Sequence, residues 1–526
     1  MDMDYTPELQ QPERRYPIGV QNFNKLRRED MIYVDKTHLI YRLTHSVSYA
    51  FLSRPRRFGK SLLLSTIKAY LEGRKELFKG LAIEKLEKEW RCHPVLMLSL
   101  ATYNAVNDDN LEVILDNEFR EWERQYGVNV ETTDLSVRFR NIIRGAHDST
   151  GMPVVVLIDE YDAPIVGNLH DEKRQDELRN VLKSIYSNLK DCDEYIGFSM
   201  LTGVSRFSKM SVFSGLNNLT DISLMDEYTE ICGITEEELR AALKPGIKRL
   251  ARRLGTDSEG ALAELKASYD GYHFTAQCPD IYNPFSLLNA LFEGKIKNYW
   301  SATGAPTFLI ELIRRRDLFL PEFFNESVDD RQLEESDTYR MSPTALLFQT
   351  GYLTIKREIE PEVYELGVPN REVRRSLFHD MADIYFGDSE AAKDSNIRRL
   401  RDRFCSGDVE GAMRLLKSFL ASIHYNLSGK KPEIYFENNL YIIFSLIGVD
   451  TNTEWYTSDG RIDVVVRVPK YIYLLELKLD RPVTEALTQI ERKDYGCQFE
   501  SDGRSIIRLG IEFSRKTRNI VSWATL

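Results

Sequence analysis

Residues 51–67, FLSRPRRFGKSLLLSTI, restrict the fold more than any other stretch of the chain. A short apolar strand runs into a Gly-Lys-Ser turn, and a helical pattern follows at once. In that order, backbone N–H groups and a helix N-terminus face whatever anion enters the turn. The usual spacing of such a phosphate loop is G-x-x-x-x-G-K-[S/T]. Gly59, Lys60 and Ser61 supply its end, but Arg54 stands where the leading glycine belongs. In this role Lys60 reaches the β- and γ-phosphates and the Ser61 hydroxyl holds Mg²⁺. The plainer alternative is a turn that happens to end in a capping serine.

A second stretch favours the phosphate loop. PVVVLIDEYD (153–162) is an apolar strand that ends in acids, the form of a Walker B strand. Asp159 then orients Mg²⁺, and Glu160 polarises the water that attacks the γ-phosphate. Asp162 reads equally as outer support for the site or as a helix N-cap. In LTGVSRFSK (201–209), Thr202 or Ser205 is placed to sense the γ-phosphate. Arg206 either contacts a phosphate, as an arginine finger does, or sits in a salt bridge.

At 526 residues the chain is too long for one core, so two to four domains are expected. Near-continuous apolar strands alternating with helices predict a parallel α/β domain over 1–232. Helical periodicity dominates 233–430, where SPTALLFQTGYLTIKREI (342–359) reads as a helix entering a β-hairpin, like a winged helix. Strands flanked by helices return over 431–526. The net charge of -11 argues against a generally basic surface, while leaving a local basic groove open. The six cysteines are scattered without metal-ligand spacing, and the acidic, polar first residues lack a signal peptide's apolar stretch. A cytoplasmic protein is expected. No apolar run approaches the roughly eighteen residues needed to span a membrane.

The last region carries its own acids. YFENNLYIIFSLIG is an amphipathic helix with Glu437; TEWYTSDG and RIDVVVRVP read as a hairpin presenting Asp463; YIYLLELKLD is a buried strand with Glu476 and Lys478. Residues i and i+2 of a strand share a face, so Glu476 and Lys478 point into one site. Asp463 and Glu476 would hold Mg²⁺ or Mn²⁺ through oxygen, with the Leu477 carbonyl completing the set. The metal would lower the pKa of a bound water while Lys478 steadies developing charge. An exposed ion pair at a sheet edge is the alternative. Helix VTEALTQIERKDYG adds Gln489, Lys493 and Tyr495. Glu437 is the least constrained member, since helix solvation also accounts for it. Arginine-rich stretches at 313–319, 370–378 and 397–404 suit phosphate contact or an ordinary solvated face.

YPIGVQNFNKLRREDMIYVDKTHLIYRL, FLSRPRRFGKSLLLSTIKAYLEG, VLIDEYDAPI, LTGVSRFSKMSVFSGLNNLTD and YDGYHF together resemble the bacterial AAA-ATPase-like family. Its members commonly carry a C-terminal PD-(D/E)XK nuclease-like domain. The resemblance implies an AAA+/STAND-like P-loop ATPase sheet, a helical and winged-helix middle, and a restriction-endonuclease-like α/β domain. It also makes SRPRRFGKS the family's own phosphate loop. Arg54 and Arg57 are then expected to add charge-assisted bonds to phosphate, as suits a slow nucleotide-gated switch. Asp35 and Lys36 match the motif ahead of the loop, where packing or N-capping also explains Asp35. His273 either touches nucleotide from the lid or is structural. The expected activity is ATP binding and hydrolysis that gates or drives a metal-dependent nuclease on DNA, with RNA left open. The alternative is a nucleotide switch that binds a partner through a silent nuclease fold. AAA+ relatives often form rings and STAND-like relatives often do not, so a homo-oligomer is open.

Overall fold

The computed structural model describes residues 14–103, 111–168, 171–206, 218–300, 320, 324, 327–333, 335, 342–386, 390–421, 432–447, 452–455, 464–493 and 496–526. Its backbone clusters into two compact units, residues 1–299 with 328–370, and residues 300–327 with 371–526.

The first unit is built on a five-stranded sheet: β1 (Tyr49–Ser53), β2 (Val95–Ser99), β3 (Val154–Asp159), β4 (Ile196–Gly203) and β5 (Thr220–Asp221). All its pairs are parallel, in the order β2-β3-β4-β1-β5. Every residue of β1 and β3 is buried, as continuous apolar strands covered on both faces require. Helices Leu111–Tyr126, Leu135–Thr150 and Glu172–Tyr186 supply Phe119, Ile142 and Leu182 to the core against Leu96, Val156 and Phe51. The helix 135–150 is fixed at both ends: Asp134 accepts from the Val137 N–H, and Gly151 closes it at φ 68°.

Helices Glu236–Ala242, Lys244–Leu254, Ser258–Tyr269 and Pro284–Glu293, the region expected to be a lid, share an apolar core of Leu239, Leu250, Leu265 and Leu287. The short strands β6 (Ile234–Thr235) and β7 (Ile281–Tyr282) pair antiparallel beside it. A capping box of Thr235 and Glu238 starts the first lid helix. The expected helix and hairpin are present: Pro343–Thr350 leads into β9 (Thr354–Glu360) and β10 (Val363–Gly367), with β8 (Ser327–Asp329) completing a three-stranded sheet.

The second unit holds helices Arg371–Phe386, Glu390–Ser406, Val409–Ala421 and Pro432–Ile447. They precede β11 (Asn452–Trp455), β12 (Val464–Arg467), β13 (Tyr471–Leu479), helix Val483–Arg492, β14 (Ser505–Ser514) and β15 (Asn519–Thr525). The sheet runs β11-β12-β13-β14-β15; β13 and β14 are parallel and the other pairs antiparallel. The helix–hairpin–strand–helix–strand order read from the sequence is the order observed. Among the described residues no helix is long and apolar enough to cross a membrane.

Candidate functional site

Strand β1 delivers the chain into a loop whose tightest positions are Arg57 at φ 71° and Gly59 at φ 94°. The helix Lys60–Leu71 starts directly behind them. Lys60 is buried, and its Nζ donates to the Arg54 carbonyl at 2.8 Å and the Pro55 carbonyl at 3.0 Å. Burial lowers the Lys60 pKa, opposed chiefly by the charges of Glu160 and Asp159. The charges at the end of the acidic strand thus act on the lysine.

Arg54 corrects the expectation that it bonds phosphate. Its guanidinium is turned into the interior, 1% exposed, and stacks 3.9 Å from the centre of the Phe274 ring. Nη1 donates to the carbonyls of Ser53 and Ser223, and Nη2 to that of Tyr228. Burial pulls its pKa down to about 10. With both terminal nitrogens committed to backbone carbonyls, the side chain braces the loop from behind. Arg57 stays exposed, its guanidinium 4.3 Å from the Phe285 ring centre.

Asp159 ends β3 and is 3% exposed. The Thr202 hydroxyl, at the end of the neighbouring β4, donates to Asp159 Oδ1 at 2.6 Å. Ser61, Ser99 and Asp159 line a common cavity of about 350 Å³. A hydroxyl from the loop helix and a carboxylate from β3 lining one cavity, with Lys68 also in its wall, are oxygen donors of the kind a hard cation takes. Glu160 is half-buried at φ 54°. Burial raises its pKa, Lys60 opposes that shift, and Asp159 and Asp162 add to it. A smaller apolar cavity of about 100 Å³ is lined by Gly59 with Pro17, Tyr33, Phe58, Cys232 and Pro284.

The flanking candidates sort by their partners. Asp162 caps no helix with its side chain. It accepts from the backbone N–H of Val204 at 3.2 Å and of Ser205 at 2.8 Å, and from the Ser205 hydroxyl at 2.6 Å. Ser205 is thus tied to Asp162, which leaves Thr202 as the hydroxyl on Asp159. Arg206 takes the salt-bridge reading: it is buried and ion-paired with Asp221 at 3.4 Å. An inward-facing guanidinium held by a carboxylate is not presented as a finger. Asp35 accepts from the N–H and hydroxyl of Thr37 and from the Ala82 N–H, a capping and packing role. Lys36 is paired with Glu238 of the lid at 2.6 Å. His273 bridges Asp280 and the Ile355 carbonyl, which makes it structural.

In the C-terminal sheet, Glu476 and Lys478 share a face as their spacing requires. Lys478 Nζ donates to Glu476 Oε1 and to Gln489 Oε1, each at 2.8 Å. Glu476 is 1% exposed, and among the described residues its Oε2 has no hydrogen-bond partner. Burial raises its pKa, with Lys478 and Gln489 opposing. An interior carboxylate oxygen left without a donor is costly, and a divalent cation would satisfy it. The donor set fits the expected metal to that extent. Asp463 and Tyr495 lie outside the described residues, as does the side chain of Glu437 on the helix 432–447. Lys493 is exposed beyond the helix 483–492. Of the arginine-rich stretches, 313–319 lies outside the described residues, and Arg403 is ion-paired with Asp408.

Sequence reasoning missed Ser99, Phe274, Asp221 and Gln349. Ser99 stands beside Asp159 in the β2–β3 register, a signal visible only once strand pairing is known. Gln349 accepts from the Arg206 N–H at 2.8 Å, across 143 positions of sequence, and no local pattern announces it.

Comparison with known proteins agrees with both halves. The family model described as "Predicted AAA-ATPase" matches residues 17–213. That of the PD-(D/E)XK nuclease superfamily matches 431–523. A relative from Azotobacter chroococcum mcd 1, "Uncharacterized protein in vnfD 5'region", is 36% identical over 520 residues, covering 97% of this chain and 98% of its own length. The chain therefore belongs to the AAA-ATPase-like family and carries a PD-(D/E)XK nuclease-superfamily domain over residues 431–523.

Proposed function

We propose that this chain binds and hydrolyses ATP and uses that cycle to gate a metal-dependent nuclease acting on DNA. In this reading residues 1–232 hold the nucleotide, 233–430 form the lid and winged-helix region, and 431–526 cut. Lys60 and the N–H groups from Gly59 to Ser61 would bind the phosphates, and Ser61 and Asp159 would hold Mg²⁺. Glu160 takes the proton of the attacking water, a task for which a carboxyl with a raised pKa is suited. Thr202 keeps Asp159 oriented.

At the second site Glu476 and Asp463 would hold Mg²⁺ or Mn²⁺, and that ion supplies an activated water and charge neutralisation at the scissile phosphate. Lys478, held between Glu476 and Gln489, steadies the charge that develops. The antiparallel pair Val464↔Leu475 is one position in sequence from both acids.

The observation that carries the nuclease reading is the buried Glu476 carboxylate held beside Lys478, with an Oε2 that meets no hydrogen-bond donor among the described residues. A divalent cation shared with Asp463 would satisfy that oxygen. The test is cleavage of plasmid DNA in Mn²⁺ by the purified chain and by its Asp463→Ala, Glu476→Ala and Lys478→Ala variants. Each substitution should abolish cleavage while ATP binding survives; cleavage persisting in the Asp463→Ala protein refutes the assignment.

A further inference from the structure

The five residues that follow Leu201 are bonded at every position to the nucleotide motifs or to the helix Pro343–Thr350. The Thr202 hydroxyl holds Asp159 at 2.6 Å, and the Thr202 carbonyl accepts from the Tyr161 N–H at 3.0 Å. The Gly203 carbonyl accepts from the Arg54 N–H at 3.2 Å. Val204 and Ser205 donate to Asp162, and the Ser205 carbonyl accepts from the Tyr161 hydroxyl at 3.2 Å. The Arg206 N–H then donates to Gln349 Oε1 at 2.8 Å.

Gln349 is 5% exposed, and its other end is also engaged. Nε2 donates to the carbonyls of Leu333 at 3.1 Å and Glu335 at 2.9 Å. One buried amide thus joins the segment leaving Thr202 to the backbone of Leu333 and Glu335, which precede the helix–hairpin element in sequence. A second contact joins the same helix to the phosphate loop: a Cβ at Gly351, which ends that helix at φ 86°, would lie 2.5 Å from Pro55 Cβ. The helix therefore rests on the loop at one point and is bonded to the segment leaving Thr202 at another.

We infer that Gln349 is a positioning residue that reads the state of the nucleotide site through residues 202–206 and passes it to the helix 343–350 and the hairpin β9–β10. The inference rests on the reading of Lys60, Asp159 and Thr202 as an ATP site. Its physical basis is absence of slack. A segment hydrogen-bonded at each residue inside a close-packed interior cannot absorb a shift at Thr202 locally. Movement of Thr202 and Asp159 as the γ-phosphate and its cation engage is passed to Arg206, and from its N–H to the buried amide. The two nucleotide states then differ in the contacts offered to the helix–hairpin element, the requirement for any ligand-driven change.

The experiment is hydrogen–deuterium exchange on the full chain with Mg²⁺ and either ADP or a non-hydrolysable ATP analogue. The wild type should differ between the two nucleotides at residues 54–61 and 159–162, and also at 343–350 and 354–367. Gln349→Leu should lose the remote difference and keep the local one. Its preference for the ATP analogue over ADP should fall by about fivefold or more, the low end of ordinary coupling. Gln349→Met keeps the length of the side chain and removes both polar ends; it should show the same loss, which separates the lost bonds from a loss of volume. A wild type that responds at 54–61 but not at 343–367 overturns the relay while leaving the ATP site standing. A Gln349 variant that keeps the remote response also overturns it. No response at 54–61 would overturn the ATP reading itself, and the relay with it.

Discussion

Thr202 Oγ1 donates to Asp159 Oδ1 at 2.6 Å, so the carboxylate proposed to hold the ATP-bound cation is oriented by the adjacent strand. Thr202→Val removes the donor at nearly constant shape. We expect ATP turnover to fall roughly 5- to 30-fold, equivalent to about 1–2 kcal/mol in the barrier, with ADP affinity unchanged. Steady-state phosphate release and ADP titration check this.

Arg54 is a brace, and its replacement should read as one. Arg54→Ala strands buried carbonyls at Ser53, Ser223 and Tyr228 and uncovers Phe274. A loss of at least about 3 kcal/mol in folding stability is expected. Arg57→Ala, on an exposed cation–π contact, should cost less than about 1 kcal/mol. Denaturant melts of the two variants separate the roles; equal stabilities would contradict the assignment.

Lys60→Ala should weaken ATP binding roughly 10- to 100-fold, because it removes a charge-assisted hydrogen bond to phosphate. Titration with a fluorescent nucleotide measures this, and an unchanged affinity would remove the phosphate loop from the account.

Asp270, 1% exposed at the end of the lid helix Ser258–Tyr269, has its carboxyl raised by burial from 3.8 to about 7. Asp280 and Glu236 add to that rise, while Lys266 and the Gly271 N–H oppose it. Below the unfolded value both states hold the proton. As pH climbs from about 4 to about 7 the unfolded chain releases it first, so the folded state loses stability, by up to ~4 kcal/mol. Asp270→Asn cannot ionise and should lack that decline. Chemical denaturation of both proteins at several pH values tests the sign.

Glu476→Gln keeps the shape of the buried side chain and removes its charge. Mn²⁺ at about 100 times its dissociation constant should stabilise the wild type by about 2.7 kcal/mol and leave this variant unmoved. Thermal melts with and without Mn²⁺ provide the measurement, independent of any cleavage.

Both motif sets were legible because their chemistry is local. Gly59 to Ser61, Asp159 with Glu160, and Glu476 with Lys478 are each set by spacing along one strand or turn. The orientation of Arg54 was not, because its partners Ser223 and Tyr228 lie 169 and 174 positions away. Sequence places an arginine at a phosphate loop, but only the fold shows which way it turns. Asp162 was balanced between cap and support until Ser205, 43 positions on, claimed its carboxylate. Gln349 carries no local signature at all, since a buried glutamine declares itself only through the partners that satisfy it.

The most direct test is plasmid DNA incubated with the purified full chain and Mn²⁺, with and without ATP, beside the Lys60→Ala protein. The account predicts metal-dependent cleavage that changes with ATP in the wild type and ignores ATP in the variant. Cleavage indifferent to ATP in the wild type, or no cleavage under any condition, would contradict it.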